Sequence, residues 1–268
     1  MTSSLLDAER YGPWGIVAGG SDGTGAAYAR FAAAAGINLL LIARRTGPLE
    51  EIAAELRAAH GVEVRTLALD LNHEDAAERI AQAAEGLDVG LYVANAGANQ
   101  GRGKSYLDTD YAEIKDLIAR NILTVAASCH HFGAKMRARG RGGIVIMSSG
   151  TALGGMRGTA AYSGVKAFQL NLAEALWSEL RDAGVHVIGV AAPLMETPTL
   201  RHQLGDKTIP GTVPAEDVAR EALVRLPAGC CLIYAFGQPW EETERQTALR
   251  RDRVLQMEAV TAGLFKAP

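Results

Sequence analysis

The chain has 268 residues, 48% of them apolar and 21% charged, with a formal net charge of −3. That balance excludes a disordered chain and a strongly basic nucleic-acid binder, and it describes a globular protein long enough to bury a large core. The longest aliphatic run, Ile37–Ala43 interrupted at Asn38, is too short to span a bilayer, so no membrane partner is expected.

Met1–Arg10 has no basic patch followed by an apolar stretch, and no signal peptide is expected. The first strand is predicted at Trp14–Ala18, followed by strands at Ile37–Ile42, Val62–Leu69, Leu87–Ala94, Gly143–Ser148, Val185–Ala191 and Leu232–Ala235. Segments of helical period lie between and after them, at Thr24–Ala35, Pro48–His60, His73–Ala84, Tyr111–Ala138, Ala160–Asp182, Ala215–Leu226 and within Trp240–Thr261. This alternation predicts an α/β fold: a Rossmann-type, doubly wound parallel sheet of about seven strands in a single domain, covered by helices on both faces. Arg137, Arg139 and Arg141 fall at a helix end, where positive charge is favourable without a nucleic-acid partner. The cysteines, Cys129, Cys230 and Cys231, have no metal-ligand spacing; no metal is expected, and a reducing cytoplasm suits them.

In such a sheet, ligands sit beyond the carboxyl ends of the strands. After the first strand comes a loop with Gly19, Gly23 and Gly25 in G-x-x-x-G-x-G spacing, with Ser21 and Thr24 between them. Glycines there permit a tight turn and close approach of the backbone to a pyrophosphate, while the helix amino terminus offers N–H groups to the phosphates. The second strand runs into Arg44 and Arg45 where a carboxylate would hold the ribose of NAD. Two guanidiniums favour a 2′-phosphate instead, so the expected cofactor is NADP(H); the alternative is that both are exposed loop charges. Asp70-Leu71 and Asn95-Ala96-Gly97 close the next two strands, as cofactor contacts or as plain turn formers.

Tyr162 and Lys166 are four residues apart and share one helix face, thirteen residues beyond Ser149 at the end of the fifth strand. The ordered set Gly19, Gly23, Gly25, then Asn95-Ala96-Gly97, Asn121, Ser149 and Tyr162-x-x-x-Lys166 resembles the short-chain dehydrogenase/reductase family over the whole chain. The resemblance implies that Tyr162 is the general acid/base, that Lys166 lowers its pKa and holds the nicotinamide ribose, and that Ser149 hydrogen-bonds the substrate oxygen. It also implies that Asn121 holds a water of a proton relay, and that Pro193 and Thr197 meet the nicotinamide.

The opening Tyr11-Gly-Pro-Trp-Gly-Ile, with Asp22 before Gly23, is similar to the hydroxysteroid dehydrogenase and 3-oxoacyl-CoA reductase branch, bacterial 7β-hydroxysteroid dehydrogenases included. The chain departs from the family pattern at Ala18, where many relatives have Thr, and at Pro193-Leu194, where Pro-Gly is usual; the second departure leaves the shape of that loop open. A substrate flap is expected at about 194–211 and a terminal helical segment at about 240–263. Leu153, Met156, Leu194, Met195 and Leu204 would suit a bulky apolar ketone or alcohol, or be ordinary packing. The alternatives to a hydroxysteroid-like substrate are a 3-oxoacyl thioester and a non-catalytic NADP(H) sensor. A homodimer or homotetramer is implied, with the helices Tyr111–Ala138 and Ala160–Asp182 as the contact surface.

Overall fold

The computed structural model describes residues 4–97, 104–197, 200, 209 and 211–261. In chain order, a short helix α1 (Ala8–Tyr11) leads into β1 (Trp14–Ala18), α2 (Gly23–Ala34), β2 (Asn38–Ala43), α3 (Thr46–His60), β3 (Val64–Ala68), α4 (Ala76–Ala83) and β4 (Val89–Ala94). The second half holds α5 (Tyr111–Ile118), a π-helical turn (Ala119–Leu123), α6 (Thr124–Arg139), β5 (Gly142–Met147), α7 (Ala160–Leu180) and β6 (Val185–Ala191). It closes with two-residue strands β7 (Met195–Glu196) and β8 (Val213–Pro214), then α8 (Ala215–Arg225), β9 (Cys231–Ile233) and α9 (Trp240–Thr261).

Seven strands form one parallel sheet in the order β3-β2-β1-β4-β5-β6-β9. The sequence dictates why it is covered on both sides. Val17, Leu39, Leu41, Val93 and Val145 point to one face, into a core shared with α2, α3 and α8. Their neighbours Ile16, Leu40, Ile42, Tyr92 and Ile144 point to the other, into a core shared with α4, α6 and α7. Side chains alternate along a strand, so runs that are apolar at every position need a partner layer on each face. On the second face Tyr92 stacks on Phe132 with ring centroids 5.3 Å apart.

Strand order reverses between β1 and β4, and the crevice beyond their carboxyl ends is where such a sheet binds ligands. At the opposite ends of the strands, Asp88 holds Arg139 and Arg141 at 2.6 and 2.5 Å. Those two arginines of the cluster are thus spent on locking the end of α6 to the β4 approach.

Several predicted boundaries shift. Ile37, Val62 and Leu69 lie outside strands, β9 occupies Cys231–Ile233 rather than Leu232–Ala235, and Ser148 follows the end of β5. Helix α4 begins at Ala76 because Asp70 takes the Asn72 and His73 N–H groups into a turn, at 3.1 Å from Oδ1 and 3.2 Å from its carbonyl. The helix expected over Tyr111–Ala138 is interrupted by the π turn. There Asn121 Nδ2 donates to the Leu117 carbonyl at 2.9 Å, taking the acceptor that a regular α-helix would give to the backbone. Much of the expected flap, Leu204 included, and residues 262–263 of the terminal segment lie outside the described residues.

Candidate active site

The four residues Asn121, Ser149, Tyr162 and Lys166 come from the π turn, the end of β5 and α7. The π turn buries Asn121 completely and Arg120 almost so. Ser149 follows β5 and caps a 3-10 turn, its Oγ accepting from Thr151 N at 3.3 Å. Tyr162 and Lys166 sit in the first two turns of α7, which is anchored to the strand end where Ser148 Oγ donates to the Lys166 carbonyl at 2.7 Å. Lys166 Nζ lies 5.7 Å from the Tyr162 ring centroid. Tyr162 packs with Leu117 and Val165, so its ring is fixed by apolar contacts.

Lys166 is 2% exposed and donates to the Met147 carbonyl and to Gln169 Oε1, both at 2.8 Å. Burial, helped by the field of Arg120, brings its amine down from 10.5 to about 7. The positive charge anticipated for Lys166 is therefore poised around neutrality in the cofactor-free protein, rather than fully present. Between about pH 7 and 10.5 the unfolded chain binds this proton and the folded site does not, so the Lys166 contribution to stability improves as pH rises through that window. In urea denaturation of cofactor-free protein, the stability of the wild type relative to Lys166→Met is expected to rise between pH 7 and pH 10. A difference independent of pH contradicts this.

The glycine loop leaves no room for side chains at Gly19 and Gly25. Gly19 and Gly23 take positive φ, +85° and +52°. A Cβ at Gly25 would lie 1.9 Å from the Gly19 carbonyl oxygen and 2.6 Å from Asn95 Nδ2. Asn95 Nδ2 in turn donates to Gly19 O at 2.9 Å, tying the loop to the end of β4. At the head of α2, Asp22 accepts from Gly23 N at 2.6 Å and Thr24 Oγ1 reaches Met195 Sδ at 3.2 Å. Thr197 Oγ1 accepts from Leu200 N at 3.1 Å.

One cavity of about 1060 Å³ is lined by most of these groups; Gly25 and Asn121 lie behind its wall, Gly25 against Gly19 and Asn95, Asn121 beside Gly97. Ser21, Arg44, Arg45, Asp70 and Leu71 line one end; Gly97, Ser149, Tyr162 and Lys166 line the middle; Pro193 and Thr197, beyond β6, are also in the lining. Arg45 pairs loosely with Asp22, at 3.8 Å, and its side chain is 69% exposed. The far wall carries Leu153, Met156, Leu194, Met195, Tyr234 and Phe236. The family model of short chain dehydrogenases matches residues 14–207.

The chain belongs to the short-chain dehydrogenase family. It is 33% identical over 222 residues to a 7β-hydroxysteroid dehydrogenase of Clostridium sardiniense, covering 81% of this chain and 84% of the relative. It is 35% identical over 204 residues to a very-long-chain 3-oxoacyl-CoA reductase of Podospora anserina, covering 75% of this chain but 60% of that longer protein. Among solved structures, a 7β-hydroxysteroid dehydrogenase superposes with a TM-score of 0.81 at 26% identity, over 94% of this chain and 98% of the other. A short-chain dehydrogenase from Sphingobium yanoikuyae in complex with NADPH gives 0.79 at 26% identity, over 92% and 95%. The protein is thus an oxidoreductase of a family that binds a nicotinamide cofactor.

Within the family frame, Leu194 proves compatible with its loop. Among the described residues no non-glycine takes a positive φ, and the Leu194 carbonyl accepts from Val213 N at 3.0 Å in the β7–β8 pair. Three features of the site were missed from sequence. Arg120 lines the cavity beside Asn121, held by Asn72 Oδ1 at 2.7 Å and close enough to Arg44 and Asp70 to feel both charges. Tyr234 and Phe236 follow β9, where the rule that ligands meet strand ends would have found them. Glu242 and Gln246 of α9 also line the cavity, and no motif or spacing points to them. Among the described residues, no helix is long and apolar enough to cross a membrane.

Proposed function

We propose that this protein is an NADP(H)-dependent oxidoreductase that interconverts a ketone and a secondary alcohol on a bulky, apolar, hydroxysteroid-like substrate. The observation that carries this reading is the convergence of Ser149, Tyr162 and Lys166 in the middle of one cavity whose far wall is apolar. The glycine loop fits a dinucleotide: Cβ atoms at Gly19 and Gly25 would strike Ala96, the Gly19 carbonyl and Asn95, so the tight turn requires glycine there, and it presents Gly19, Ser21, Gly23 and Thr24 to the cavity. Gly19, Ser21, Gly23, Thr24 and Gly25 would hold the pyrophosphate, Asp70 and Leu71 the adenine, Asn95 and Gly97 the adjoining ribose path, and Pro193 and Thr197 the nicotinamide. When bound, the nicotinamide supplies or accepts the hydride.

The chain's own groups manage the proton. In the reducing direction, the Tyr162 hydroxyl donates its proton to the substrate oxygen while Ser149 donates a hydrogen bond to the same atom, stabilising the charge that develops there. The Lys166 ammonium stabilises the tyrosinate that remains and returns a proton to it. Asn121 Oδ1 is buried without a hydrogen-bond partner in the described residues, an acceptor suited to a water that reprotonates Lys166. In oxidation each step runs in reverse.

The preference for NADP(H) rests on Arg44 and Arg45 at the cavity end nearest β2, with no carboxylate at the ribose position. Arg44→Ala is expected to raise the KM for NADPH by about 10- to 100-fold, the loss of one charge-assisted contact, with the KM for NADH little changed. An equal effect on both cofactors contradicts the assignment. Similarity to the Podospora reductase favours a second reading, reduction of a 3-oxoacyl thioester by the same proton chemistry. The test is NADPH consumption against matched ketosteroids and 3-oxoacyl thioesters: higher kcat/KM on ketosteroids supports the first reading, and on thioesters the second. Assembly into a homodimer or homotetramer belongs to the same proposal, supported by exposed Tyr106, Leu107, Tyr111 and Leu123 at and beside α5 and the π turn.

A further inference from the structure

Gln169 lies three residues beyond Lys166 on α7 and is fully buried. Its Oε1 accepts from Lys166 Nζ at 2.8 Å, beside the Met147 carbonyl at the same distance. An ammonium carries only donors, so the amide must present its oxygen, and Gln169 Nε2 is left buried without a partner among the described residues. Most neighbours along this face of α7, including Val165, Leu170 and Ala173, are apolar. A leucine at 169 would fill the space without stranding an amide nitrogen, so packing does not account for glutamine here.

We propose that Gln169 is a positioning residue of the reaction: with the Met147 carbonyl, its amide oxygen clamps two of the three Lys166 N–H groups and fixes the ammonium beside Tyr162, turning the third N–H to the cleft. This rests on the reading in which Lys166 supports proton transfer by Tyr162. Without the clamp, a four-carbon side chain of high rotamer freedom samples other positions and its charge no longer falls on the phenol. Gly97 marks the opposite limit of the pocket, since a Cβ there would lie 2.5 Å from Nζ. Of the charged groups on the described elements packed against α7, Arg120 on the π turn is the one whose field reaches Lys166. Arg250 on α9 is engaged by Glu174 of α7 at 2.7 Å, and His186 on β6 by the Tyr11 hydroxyl at 2.6 Å.

Two readouts test the clamp. The first is the pH profile of kcat/KM for alcohol oxidation by the full chain with NADP+. Gln169→Met, unbranched and without the amide oxygen, is expected to lower kcat/KM about tenfold at pH 7 and to move the profile to higher pH, because less ammonium stabilises the tyrosinate. Gln169→Glu restores an acceptor and is expected to lie nearer the wild type. The second is the pH titration of the Lys166 13Cε resonance in cofactor-free, 13C-lysine-labelled protein, assigned with Lys166→Arg. Its midpoint is expected to fall in Gln169→Met and to rise in Gln169→Glu. If Gln169→Met only lowers Tm while both midpoints stay in place, or, where that variant does not fold, if the midpoint in Gln169→Glu does not move, the clamp is overturned. Absence of turnover in the wild type would strike the proposed function, and the resonance titration would still decide the clamp.

Discussion

Replacing Tyr162 by Phe is expected to lower kcat by about 10²- to 10⁴-fold, the usual contribution of a positioned general acid or base, while the affinity for NADPH stays near that of the wild type. The ring is held by Leu117 and Val165, and phenylalanine keeps those contacts, so the substitution removes the hydroxyl and little of the packing. kcat from steady-state turnover and Kd from nicotinamide fluorescence separate the two effects. A variant that retains most of its turnover contradicts the assignment of the proton to Tyr162. One that loses cofactor affinity in proportion to turnover makes the residue a binding group instead.

Gly97→Ala is expected to have the next largest effect, through a residue with no chemistry of its own. The added Cβ would lie 2.5 Å from Lys166 Nζ and 2.6 Å from Asn121 Oδ1. Nζ ends a flexible side chain, but it is pinned by Met147 and Gln169, and Asn121 is pinned by Leu117. Relief of the clash therefore displaces the two groups to which the proposed proton path is assigned. Overpacking of this kind costs about 1–3 kcal/mol of stability, whereas kcat is expected to fall at least about 10²-fold because both ends of the relay move. Gly47→Ala, in the first turn of α3, where among the described residues no atom beyond its own helical turn lies within 4 Å of the new Cβ, serves as the control and should leave both quantities near wild type. Full activity in Gly97→Ala would mean that Lys166 and Asn121 need not be where the cofactor-free site holds them.

The central strands were the most legible part of this fold, because their burial is continuous. Strands such as Trp14–Ala18 and Val89–Ala94 are buried at every residue, and an unbroken aliphatic run has few other uses in a soluble sheet. The glycine loop was legible because the backbone there admits no side chain, as Gly25 shows most sharply. The π turn was not legible: one extra residue in a helical turn leaves the apolar period of Tyr111–Ala138 almost unchanged, and the evidence for it is a side chain taking a carbonyl. Strands β7 and β8, of two residues each, span a single repeat of the alternation that reveals a strand, too little to establish a period. Gln169 and Arg120 escaped notice for a related reason. Each is a polar residue on a mostly apolar helix face, and only the fold reveals that one meets Lys166 and the other lines the cavity.

The charge on Lys166 joins these observations. Burial draws the amine down to about 7, and the groups around it, Met147 and Gln169 as acceptors and Arg120 as a neighbouring cation, act on that balance in opposite senses. A site built this way responds to small changes in placement, which is why the largest expected losses fall on Tyr162 and on a glycine whose role is to leave space.

The most direct test of the account is the rate of NADPH consumption by purified protein with a bulky ketosteroid, followed by reduced-nicotinamide absorbance for the wild type and Tyr162→Phe side by side. Turnover by the wild type, lost in Tyr162→Phe with NADPH binding retained, is the predicted result. Turnover that survives in Tyr162→Phe, or wild-type protein that binds NADPH yet reduces neither ketosteroids nor 3-oxoacyl thioesters, would contradict it.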